Sequence, residues 1–197
     1  MCYYSRVKVY FSTSGSNLNT NIEACRIILG IIKNSGHDIT RNWIEESYSL
    51  SNNGYKYSSS ELSHIYNENL RALRESDVVI LESTYNTFNN GYLAGQSINL
   101  QKPLLILTKH PKRFNSFLMG ENTTLKYFET YKNNEHLKSI VSNFLEHHDD
   151  NINNIRFNMF IGKNISNFLK TEAKIKGKTK AKVVREILES HIYSRNK

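Results

Sequence analysis

Two short runs, Asp77-Val78-Val79-Ile80-Leu81 and Pro103-Leu104-Leu105-Ile106-Leu107, are apolar almost without interruption. Neighbouring side chains of a strand point to opposite faces, so a strand that is apolar throughout is covered on both sides. Strands of that kind belong to a parallel sheet held between two layers of helix, and the first 147 residues are spaced to supply those layers.

Val7-Lys8-Val9-Tyr10-Phe11 reads as a further buried strand and passes into a loop of small residues, Ser12-Thr13-Ser14-Gly15-Ser16. A helix is expected next, capped by Asn19 or Asn21, with Ile22, Cys25, Leu29 and Ile32 on one face and Asn34-Ser35-Gly36 as its stop. His37 to Ile44 reads as a weaker strand, and the Ser-, Asn- and Tyr-rich stretch from Ser47 to Ser60 as a surface loop. Ser60, Glu61, Leu62, Ile65, Leu70 and Leu73 then have amphipathic helical spacing. Tyr92 to Leu100 predicts a third helix, Leu125 to Phe128 a short strand, and Glu135 to His147 a last helix. The expected fold class is α/β: a doubly wound, mostly parallel sheet, followed by a small C-terminal β-α-α module. Ligands of such sheets sit beyond the carboxyl ends of the strands, here in the loops after Phe11, Ile44 and Leu81.

Charge divides the chain where the pattern does. Residues 1–154 hold 15 basic and 15 acidic side chains, whereas residues 155–197 hold 11 basic and 3 acidic, which accounts for the whole net charge of +8. A step of this size points to two modules, the second facing a polyanion. No apolar run approaches the roughly 20 residues that span a bilayer, so no membrane partner is expected. Two cysteines, Cys2 and Cys25, offer no disulfide framework, and residues 1–6 lack an apolar signal core, so a reduced, cytoplasmic setting is expected. Residues 148–154 read as a linker; the His147-His148-Asp149-Asp150 run matches no closed ligand set and is taken as a solvated connector, with no metal or cofactor implied.

Arg156 to Ile161 alternates, with Phe157, Met159 and Ile161 on one face and Arg156, Asn158 and Phe160 on the other. Two helices are expected after it. Ser166 to Lys176 carries Phe168, Leu169, Ala173 and Ile175, and a second helix capped by Thr179 carries Val183, Val184, Ile187, Leu188 and Ile192. So small a unit buries too little surface to stand alone, which predicts pairing with a second copy.

Arg156 to Ile192, with its Gly177-Lys178-Thr179-Lys180 turn and Val183-Val184-Arg185-Glu186, resembles a ribbon-helix-helix DNA-binding domain. The resemblance implies that two strands pair into a ribbon entering the major groove of double-stranded DNA. Arg156, Asn158 and Phe160 would then face base edges, and Lys178, Thr179 and Lys180 a phosphate. Independently, a helix N-terminus with added lysines favours an anion, and Arg and Asn pair bidentately with guanine and adenine.

Residues 6–147 resemble nucleoside 2-deoxyribosyltransferases and the related nucleotide N-glycosidases. The matching features are Val9-Tyr10-Phe11-Ser12, Asn69-Leu70 through Ser76-Asp77-Val78-Val79-Ile80, and Gly91-Tyr92 followed by Lys102-Pro103-Leu104. The family's chemistry needs a nucleophilic carboxylate and a second carboxylate, and the resemblance puts these at Leu93 and Asn69. Neither residue can act in that way, so no catalytic residue is assigned.

Ligand binding is expected to survive that loss. Ser12, Thr13, Ser14 and Gly15 lead into a helix N-terminus suited to phosphate or ribose hydroxyls. Glu82, Ser83, Tyr85, Asn86 and Asn90 add polar groups and an aromatic for a nucleotide-like ligand. The sequence therefore predicts a DNA-binding regulator acting as a homodimer or higher even oligomer. The alternatives are an active deoxyribosyltransferase or N-glycosidase tethered to DNA, and an antitoxin-like or DNA-processing accessory protein.

Overall fold

A computed structural model describes residues 6–85, 87–110, 125–149, 161–176 and 178–195. The chain divides into two compact units, residues 1–154 and 155–197.

Among the described residues, the first unit is built on five parallel strands: β1 (Lys8–Thr13), β2 (Asp38–Ile39), β3 (Val78–Glu82), β4 (Leu104–Thr108) and β5 (Lys126–Thr130). Their order is β2-β1-β3-β4-β5, with Thr13 opposite Glu82 and Glu82 opposite Leu107 at the carboxyl edge. This is the doubly wound α/β fold expected from the apolar runs. Every residue of β3 and β4 is buried, as unbroken apolar strands require.

Among the described residues, five α-helices cover the sheet: α1 (Leu18–Asn34), α2 (Ile44–Asn52), α3 (Ser59–Glu75), α4 (Phe88–Asn99) and α5 (Asn134–Asp149). Strand alternation sorts the core into two layers. Val9, Phe11, Val78, Ile80, Leu105 and Leu107 meet α1, α2 and α5 on one face. Tyr10, Val79, Leu81, Leu104 and Ile106 meet α3 and α4 on the other.

Four local expectations are corrected. The weak strand from His37 to Ile44 shrinks to Asp38–Ile39, paired only at the sheet edge. The supposed loop after Ser47 holds most of α2, anchored by buried Ile44 and by Glu45 pairing with Arg26 of α1 at 2.8 Å. Tertiary packing there overrides a polar local sequence. Helix α3 begins at Ser59 because Ser58 and Glu61 form a reciprocal capping box. Helix α4 begins four residues before Tyr92, where the Thr87 hydroxyl caps the Asn90 amide.

The linker boundary also moves. His148 and Asp149 belong to α5, and His148 is buried edge-on against Phe144 and Tyr127, with ring centroids 4.6 and 5.6 Å away. Packing, not solvation, therefore accounts for His148. Residues 150–154, the rest of the expected linker, lie outside the described residues.

The second unit contains α6 (Lys163–Lys176) and α7 (Lys180–Arg195). Leu169 and Val183 are buried, while Ile165, Phe168, Ile175, Ile187 and Leu188 are exposed. The expected strand at 156–161 lies outside the described residues except for Ile161.

Candidate functional site

The carboxyl ends of β1 and β3 are neighbours, yet the chain leaves them for opposite faces: β1 runs on into α1, and β3 into α4. Adjacent strands whose connections diverge open a crevice, and ligands of this architecture bind there. The candidate site is that crevice and the side chains that form its two walls.

On the α1/α5 side, Glu82 is fully buried. Its Oε1 accepts from the Tyr131 hydroxyl at 2.8 Å, the Thr84 amide at 3.3 Å and the Thr84 hydroxyl. Its Oε2 accepts from the Thr13 hydroxyl at 3.2 Å and from Asn21 Nδ2. Thr84 also accepts from the Lys109 amide at 3.1 Å, so one carboxylate ties together β1, α1 and the ends of β3, β4 and β5. A buried charge survives only when such donors replace its water. Burial and then the Glu82 charge push the Cys25 thiol up to about 12, and the same two causes raise the Tyr131 phenol.

Glu82 and Thr13 are two of the residues expected to contact a ligand. Both point into the α1/α5 layer, and their polar groups are engaged internally. Asn21, considered as a helix cap, instead reaches Glu82 from inside α1, whose actual N-cap residue, Asn17, makes no side-chain cap bond.

The α3/α4 side differs in kind. Buried Tyr10 donates to Asn69 Oδ1 at 2.9 Å, and Arg41 Nη1 donates to the same oxygen and to the Ile65 carbonyl at 3.4 Å. Burial pushes the Tyr10 phenol up to about 12, against the opposing effects of the Ser12 hydroxyl and the Arg41 charge. Leu93 is buried among Tyr10, Leu73 and Leu81 of the same core layer. The two positions where the resemblance places carboxylates therefore hold an amide locked by two donors and an apolar core residue. The Glu82 carboxylate lies on the opposite face of the sheet from both.

The remaining expected residues gather at the upper edge. Ser12, Ser14 and Ser83 are buried, Tyr85 is half-buried and Gly15 is exposed. Ser14 donates to Asn17 Oδ1 at 3.1 Å within the turn before α1. Asn90 Nδ2 donates to the Glu82 carbonyl and to Ser83 Oγ, both at 3.2 Å, which leaves its buried Oδ1 without a partner. On α4, Phe88 is 88% exposed and Tyr92 shares a 2.9 Å hydrogen bond with Tyr66 of α3. Asn86 lies outside the described residues. Trp43 packs against the α1-side core.

In the second unit, Lys178 pairs with Glu186 at 2.6 Å, and Thr179 and Lys180 are exposed at the start of α7. Arg156, Asn158 and Phe160 lie outside the described residues. Among the described residues, no three His, Cys, Asp or Glu side chains cluster to hold a metal ion.

Sequence reasoning missed Arg41 and Tyr131. Tyr131 had a faint signal, an aromatic at the end of a strand, whereas Arg41 is one charge in a polar stretch and carried none.

No protein-family description and no curated protein matches the sequence. Among solved structures, a Clostridium botulinum CMP N-glycosidase is similar over 70% of this chain and 98% of its own, at 9% identity and a TM-score of 0.52. A de novo designed Rossmann 2x3 protein is similar over 79% and 98%, at 15% identity and a TM-score of 0.45. A 2-deoxyribosyltransferase from Bacillus psychrosaccharolyticus is similar over 66% and 90%, at 14% identity and a TM-score of 0.41. The N-glycosidase comparison shows a shared fold, and a shared fold does not transmit an activity.

Proposed function

We propose that this chain is a DNA-binding regulator that acts as a pair of copies, and that its α/β unit binds a small nucleotide-like ligand without turning it over. The observation that carries this reading is the uncovered apolar surface of α6 and α7. Ile165, Phe168, Ile175, Ile187 and Leu188 stay exposed in a unit that also holds the whole basic excess of the chain. A second copy covers such a surface, and a duplex neutralises such a charge.

In the paired form, Arg156, Asn158 and Phe160 face base edges from a two-stranded ribbon, and Thr179 and Lys180 meet phosphates at the start of α7. Lys178 exchanges its bond to Glu186 for a phosphate on binding. The α/β unit contributes a crevice edged by Ser12, Ser14, Gly15, Ser83, Tyr85 and Asn90, where hydroxyls and amides suit a sugar and Tyr85 a base. Gel shift of a labelled duplex at increasing salt, with the mass of the complex measured by light scattering, tests the proposal. Two chains per duplex and a steep loss of affinity with salt support it.

A second reading, hydrolysis of a nucleotide N-glycosidic bond, draws on the fold shared with the CMP N-glycosidase. Asn69 and Leu93 weigh against it, since neither supplies a nucleophile or a proton. Incubation of the purified protein with CMP, followed by chromatography for free cytosine, separates the two readings.

A further inference from the structure

We infer that the α3/α4 wall of the crevice is an oxyanion seat centred on Arg41, so that the ligand carries a phosphate or carboxylate there. This deepens the ligand-binding reading and rests on it. The argument begins with Asn69. Its Oδ1 accepts from both Tyr10 and Arg41, and this fixes the amide, with the oxygen toward the guanidinium and Nδ2 turned away from it.

An aspartate at this position would form an ion pair with Arg41 and cancel its charge. The neutral amide orients the guanidinium and leaves the charge in place. Half-buried Arg41 spends Nη1 on Asn69 and on the Ile65 carbonyl, and no carboxylate lies within 4 Å of it among the described residues. Among the described residues, Nε and Nη2 of this guanidinium make no hydrogen bond, and its paired donors around one positive charge are the complement of a planar or tetrahedral oxyanion. Leu93, buried beside this wall, adds no opposing charge. Partial burial makes the attraction stronger than at an open surface.

The test measures calorimetric binding of four probes to the full chain at low ionic strength: cytidine and CMP for phosphate, uridine and orotidine for a carboxylate on the base. In at least one pair, the anionic member binds about tenfold or more tightly than its neutral counterpart, as charge-assisted bonds to a guanidinium imply. Which pair discriminates identifies the oxyanion. Arg41→Gln and Asn69→Asp each reduce the preference to less than about twofold. Asn69→Asp keeps an acceptor for Tyr10 and Arg41, so it retains the fold if Arg41→Gln does not. Equal binding within both pairs, or a preference that survives both substitutions, overturns the oxyanion seat and leaves the ligand reading standing. If none of the four probes binds, both fall.

Discussion

Tyr131, at the end of β5, donates its hydroxyl to Glu82 at the end of β3 over 2.8 Å, although 49 residues separate them in the chain. β4 lies between their strands, so the bond spans the carboxyl edge and helps to close the floor of the crevice from the α1/α5 side. The floor is thus a hydrogen-bonded carboxylate facing inward, and the wall opposite is cationic.

The Glu82 hub is expected to be structural. Glu82→Ala removes the carboxylate acceptor shared by Tyr131, Thr84 and Asn21, leaves Thr13 only the carbonyl of residue 82 at 3.1 Å, and lowers stability by about 3 kcal/mol. Tyr131→Phe removes one donor and lowers it by about 1 kcal/mol. Urea denaturation followed by circular dichroism measures both, and equal stability of Glu82→Ala and the wild type contradicts this role.

His148 makes stability fall in mild acid. Burial, and secondarily the His147 charge, hold its folded-state pKa at about 4, against 6.5 when free. Because the depressed value means that the unfolded chain binds the proton first, the stabilisation is complete above pH 6.5 and is lost as pH falls toward 4. The loss is on the order of 2 kcal/mol, and His148→Phe flattens this part of the stability profile.

Cys25 is expected to be inert in the native state, since its buried thiol titrates at about 12 and only a thiolate reacts. In a Cys2→Ser background, an aromatic disulfide reagent at pH 8 releases no product until denaturant is added. Prompt labelling of the folded protein contradicts the packing of α1 against the sheet.

The sheet was legible because strands buried on both faces are apolar throughout and here recur between segments of helical spacing. Helix α2 was not, since its residues after Ile44 are mostly polar and it is held by long-range contacts such as Glu45 with Arg26. The facing of Glu82 was hidden for a related reason. In a strand with both faces apolar, alternation carries no mark of which side is which, so the carboxylate was placed in the loop region without a face. Leu93 and Asn69 were identified as losses of chemistry from sequence, but the gain that accompanies them was not. Arg41 meets Asn69 across 28 residues, and no local pattern announces a contact of that kind.

The proposed reading of DNA separates two kinds of residue. Arg156→Ala and Asn158→Ala abolish preference among duplex sequences and leave general affinity nearly intact. Lys180→Ala weakens every sequence alike and reduces the slope of log affinity against log salt by about one unit. Competition binding against a randomised duplex pool reads both effects.

The most direct test of the central proposal is a fluorescence anisotropy titration of a labelled duplex with the full chain, repeated from low to high salt. The proposal predicts saturable binding by two chains per duplex, with log affinity falling linearly as log salt rises. A chain that stays monomeric and leaves the duplex unbound at the lowest salt contradicts it.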